Sequence, residues 1–154
     1  MPKTESIVPT YHEQVKPDLI RDIHHAVATL PDNYLRMIEA GETYSMYGSM
    51  NVPIAEDLQA NHRDAFAAFS TNRDGNAHVY VVIEDQTGEI TVDAAISQFI
   101  FGFNRVFVGT RDELRQLVLD PNTVIINTRS RNNPPEAFQR TWGDNSRPYG
   151  TRRR

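Results

Sequence analysis

The chain contains no cysteine, which excludes disulfide frameworks, thiol catalysis and thiolate zinc sites together and leaves the redox compartment open. It has no apolar run approaching the roughly 18 residues that span a bilayer. Its start, Met1-Pro2-Lys3-Thr4-Glu5-Ser6, lacks the apolar core of a secretory signal. No G-x-S-x-G, Walker loop or dinucleotide-binding fingerprint occurs. The expectation is a chain of the cytoplasm or of a virion, with no membrane partner and no cofactor.

What is present is 154 residues, a length suited to a single domain whose core needs no metal or disulfide. The net charge of -4 is unevenly spread. Residues 129 to 154 hold seven Arg against Glu136 and Asp144, a net of +5, which leaves -9 for the remainder. An acidic body with a basic tail suits docking on an acidic protein surface or on nucleic acid. The residues expected to bind there are Arg147, Tyr149, Arg152, Arg153 and Arg154, because stacking plus guanidinium contact is how basic tails grip phosphate. The plainer reading of this stretch is a solvated, solubilising end.

The pattern predicts an extended arm over residues 1 to 17, one α+β domain over 18 to 142 and a basic tail over 143 to 154. Pro2, Pro9 and Pro17 interrupt the arm. Asp18 is placed to cap a helix of about 18 to 29, with Ile20, Ile23, Val27 and Leu30 on one face. Asp32 is placed to cap a second, which carries Tyr34, Leu35, Met37 and Ile38 and stops at Gly41. This helical hairpin leads to a strand over Thr43 to Tyr47, a loop holding Pro53 and a polar helix near Ala55 to Ala60. Phe66 and Phe69 drop into the core. His78 to Ile83 and Glu89 to Val92 form a small antiparallel sheet about a turn at Gln86-Thr87-Gly88, with Val79, Val81 and Ile83 on one face.

From Ala94 to Val108 the apolar residues follow a helical stripe through Ile96, Phe99, Ile100, Phe103 and Phe107, which predicts a central hydrophobic helix. A period of two also fits the four phenylalanines from Phe99 onward, and the strand alternative stays open locally for Arg105 to Val108. Thr110-Arg111-Asp112-Glu113 is a capping box that opens a helix through Leu117. A short strand at Thr123 to Asn127 and a helix at Glu136 to Trp142 complete the expected domain.

The order of elements, with Leu30-Pro31-Asp32-Asn33-Tyr34-Leu35 and Gly41, then a hairpin, then Phe101-Gly102, then Glu136-Ala137-Phe138 and Trp142, resembles a minimal zincin of the anthrax lethal factor type. That resemblance implies a metalloprotease fold whose central helix carries H-E-F-G-H. Setting Phe101-Gly102 on its F-G places Phe99, Ile100 and Phe103 at the ligand, base and ligand positions, and Glu136 at the third ligand, with Arg140 where a second acid belongs. Apolar side chains offer no lone pair to a divalent ion, so the likeness implies a pseudoenzyme with the metal ligands lost. The plainer reading is a core segment whose glycine allows close packing. Both deny metalloprotease activity.

The other titratable residues do not converge by spacing. His24 and His25 sit about 100° apart on one helix, His12, His62 and His78 stand alone, and Asp57, Asp64 and Asp74 are scattered. The expected function is therefore a non-enzymatic structural or protein-interaction module in a larger assembly such as a virus or phage particle, with protein partners held by the arms and the acidic body. The alternatives are a hydrolase of another class built around Tyr44, Tyr47, His78 or Glu136, and an inhibitor or regulator of a host protein.

Overall fold

A computed structural model describes residues 7–8, 15–43, 46–71, 77–86, 88–98, 100–110, 112–113, 116–117 and 147–148. Helices α1 (Pro17–Ala28), α2 (Asp32–Ala40) and α3 (Tyr47–Ala60) come first. Strands β1 (Asp64–Thr71), β2 (Ala77–Asp85), β3 (Gly88–Asp93), β4 (Phe107–Gly109) and β5 (Arg147–Pro148) form an antiparallel sheet in the order β4-β3-β2-β1-β5. The architecture is α+β.

The helical hairpin forms because α1 and α2 each present one apolar face, with Leu19, Ile23, Ala26 and Val27 buried on α1 and Leu35 and Ile38 on α2. Neither Asp18 nor Asp32 caps its helix. Lys16 and Pro31 hold the cap positions without a side-chain bond, and Pro17 opens α1 where its missing N–H costs nothing. Gly41 stops α2 as expected: at φ 68° it donates to Ile38 O while Glu42 N reaches Met37 O. α3 ends the same way, with His62 at φ 65° taking the position that normally favours glycine and Arg63 N reaching Leu58 O.

No strand is assigned at Thr43 or Met46, and Tyr47 already opens α3, which runs through Pro53. Gly48 and Pro53 punctuate the sequence, yet Met50, Asn51, Ile54, Ala55 and Leu58 are buried at spacings of three and four. Packing of that stripe on β1 and β2 outweighs the local penalty of a proline left on the solvent side.

In the sheet, alternation assigns the faces. Ala65, Ala67, Val79, Val81, Ile83, Ile90, Val92 and Val108 join the main core against the helices. Ala68, Tyr80, Val82 and Phe107 point the other way, with Phe66 packed beside them. That outer face is covered by the segment from Ile96 to Phe107. The expected central helix is absent: a 3-10 turn at Ile96–Gln98 gives way to a turn at residues 101–102 and then to β4. Ile96, Ile100, Phe103 and Phe107 are spaced like a helical stripe because they drape across a sheet, and the strand option at Arg105 to Val108 holds for residues 107–108. Thr110 and Glu113 form the expected capping box, each side chain reaching the other's backbone N–H. A Cβ on Gly109 would lie 3.0 Å from Glu113 Oε1 and 3.1 Å from Phe107 Cζ, so glycine lets the box close over that ring.

Two boundaries shift. The N-terminal arm supplies core: Ile7, Val8 and Val15 are buried, and Ile7 O accepts the Val106 N–H. Arg147 and Pro148, expected in the tail, pair with Phe69 and Ala68. The elements expected at Thr123 to Asn127 and Glu136 to Trp142 lie outside the described residues. Truncating Ile7 to Ala should lower the unfolding free energy by about 2–5 kcal/mol in a urea titration; an unchanged midpoint would show that the arm is not part of the core.

Candidate functional site

The strongest convergence of polar side chains joins three elements. α3 turns Asn51 inward beside Met50, β2 begins with Ala77-His78, and β3 ends at Asp93. The register that sets Val81 against Val92 puts Asp93 level with Tyr80, so His78 lies diagonally across on the same face. His78 Nε2 meets Asp93 Oδ2 at 2.6 Å. A carboxylate only accepts, so Nε2 carries the proton. Asp93 Oδ1 takes Asn51 Nδ2 at 3.0 Å and Ala95 N at 2.9 Å. Asn51 also donates to Val79 O at 2.8 Å and accepts from Ala94 N at 2.9 Å, and the His78 and Tyr80 rings stack at 6.1 Å.

A His–Asp pair at this distance is half of an acid–base triad, but catalysis also needs contact with a substrate. His78 and Asp93 are each only 1 % exposed. The arrangement instead ends β3, since the Asp93 side chain captures the N–H two residues on, and it ties helix, strand and turn together. The Asp93-Ala94-Ala95 sequence, where the expected central helix would begin, is thus a strand stop. Hairpin register is the signal that links His78 to Asp93 across fifteen residues.

A second polar line runs along the outside of α1. Arg63 Nε contacts Asp22 at 2.7 Å and Nη2 contacts Asp18 at 3.1 Å. His25 Nδ1 meets Asp57 Oδ2 at 2.8 Å with its ring 64 % exposed. The hydrogen bond from Arg63 holds the Asp18 carboxyl below its ordinary value of 3.8. His62 is exposed and His24 half-buried. His12, Asp74, Tyr44, Tyr149 and Arg152 to Arg154 lie outside the described residues.

Of the positions that the zincin likeness singles out, Ile100 and Phe103 are buried in the outer-face cluster, so neither lines an open cleft. Phe99 and Glu136 lie outside the described residues. The central helix expected on that likeness is not formed among the described residues, and its late helix lies outside them. Among the described residues no three His, Asp or Glu side chains are grouped to hold a metal ion, and no helix is long and apolar enough to cross a membrane. Among the described residues, the large apolar side chain left in solvent is Phe101, 70 % exposed. No family model, curated protein or solved structure matches this chain.

Removing the buried carboxylate in Asp93→Ala should cost about 3–5 kcal/mol, because it strands three donors, whereas Asp57→Ala should cost about 1 kcal/mol or less; comparable urea midpoints for the two variants would contradict the assignment. Since Asp18 is depressed when folded, its contribution is present above 3.8 and lost as pH falls below it. Acid titration of Asp18→Asn should therefore show a shallower loss of stability below that pH than the wild type, and superimposable curves would refute the pairing.

Proposed function

We propose that this chain is a non-enzymatic interaction module that works as a component of a larger assembly. The observation that carries the reading is the sealing of His78 and Asp93: the acid–base pair that converges most closely is spent inside the fold. The surface instead offers an exposed aromatic at Phe101 and a strong separation of charge along the chain. Such features serve contact with other proteins, and an acidic body with an arginine-rich C-terminal segment favours association that weakens as salt rises. A particle built of many copies, such as a virus or phage, is a setting that uses a module of this kind. The reading needs no metal and borrows nothing from the zincin likeness.

Sedimentation of the full chain from micromolar to near-millimolar concentration tests it. The expected result is a mass above the 17.6 kDa monomer that grows with concentration and falls with added salt. A constant monomer mass, or turnover of ester or peptide probes lost in His78→Asn, would overturn it.

A further inference from the structure

Ile100 to Phe103 is a tight turn, with Phe103 N donating to Ile100 O and Gly102 at φ 75°. Its two ends are anchored, since Ile100 and Phe103 are buried in the outer-face cluster and the Arg105 guanidinium lies 4.5 Å from the Phe103 ring centre. Phe101 therefore stands on a fixed base and points into water. Nothing in the fold requires an aromatic there, because a turn tip accepts polar residues at no packing cost.

The turn abuts the end of α2. A Cβ on Gly41 would lie 3.5 Å from the Gly102 carbonyl carbon, so Glu42 and Phe101, the exposed chain neighbours of these two glycines, sit on adjoining backbone, with exposed Glu39 in the last turn of α2. α2 has no basic residue in its last turn. Acidic residues at a helix C-terminus oppose the helix dipole, so local stability does not explain them. An aromatic ring flanked by carboxylates is suited to a guanidinium, which stacks on the ring and pairs with the acids. The chain supplies that chemistry in Arg152-Arg153-Arg154.

We infer that the Phe101 turn, with Glu39 and Glu42, is the docking site for the arginine-rich C-terminal segment of a second copy of this chain. The inference rests on the assembly reading and names its contact. The two surfaces differ, so the copies associate either by exchanging tails reciprocally in a two-fold dimer or by passing each tail to the next copy in a ring or filament.

Sedimentation of full-length variants tests it, and all three substituted body positions are exposed, so the variants keep the core. Phe101→Ser should weaken association about tenfold, the loss of one good ring–cation contact. Glu39→Lys with Glu42→Lys, and separately Arg152→Glu with Arg153→Glu and Arg154→Glu, should each abolish it. An equimolar mixture of these two charge-reversed chains should associate again, because the basic patch of one meets the acidic tail of the other. If the wild type associates and Phe101→Ser or the charge-reversed chains do so equally well, the docking site is wrong and the assembly reading survives. A wild type that stays monomeric overturns both, and failure of the mixture to associate overturns the tail as the occupant.

Discussion

The buried carboxylate of Asp93 is the point on which the rest of this structure depends. It sits where β3 must stop, and its two oxygens take up donors from a strand, a helix and the turn that follows. Burying a carboxylate is costly unless donors replace its water, and here three do. A hydrophobic replacement of similar size would not direct the chain. The polar cluster fixes where the sheet ends and sends residues 94 to 106 back over the outer face, so its contribution is to specificity as much as to stability.

That redirection produces a sheet covered on both sides. Helices α1 to α3 close one face, and the oily segment through Ile96, Ile100, Phe103 and Phe107 closes the other. The N-terminal residues Ile7 and Val8 complete the main core beside Val106, so that an apparent arm and an apparent central helix prove to be two pieces of packing. The same folding of the segment leaves Phe101 outside. Its placement follows from a turn whose flanks, Ile100 and Phe103, are pinned in the outer-face cluster.

How much of this was legible in the sequence depended on whether the deciding partner was near in the chain. The β2–β3 hairpin, the Gly41 stop and the Thr110–Glu113 capping box are local devices, and each was readable from a few residues. β1 was missed because Ala65, Ala67 and Ala68 give little strand preference; its pairing comes from β2. α3 was broken up by Gly48 and Pro53, since the stripe that holds it gains its energy only against the sheet. The segment from Ala94 to Val108 carried a true helical spacing of apolar residues and still made no helix, because the Asp93 side chain takes the Ala95 N–H and Gly102 turns left-handed. His78 and Asp93 lie fifteen residues apart, and only the β2–β3 register brings them together. The acidic body and basic tail are plain from composition, but the approach of the Phe101 turn to the end of α2 through Gly102 and Gly41 needs the fold.

Native-state hydrogen exchange at Ala94 and Ala95 tests the central role of Asp93 most directly. Both amides lie in a connection with no regular secondary structure, yet they donate to Asn51 and Asp93. If the buried cluster organises the fold, they exchange only through global unfolding, at the rate of the β2 amides. Exchange at the rate of an ordinary exposed connection would show that the cluster opens independently and does not hold the structure together.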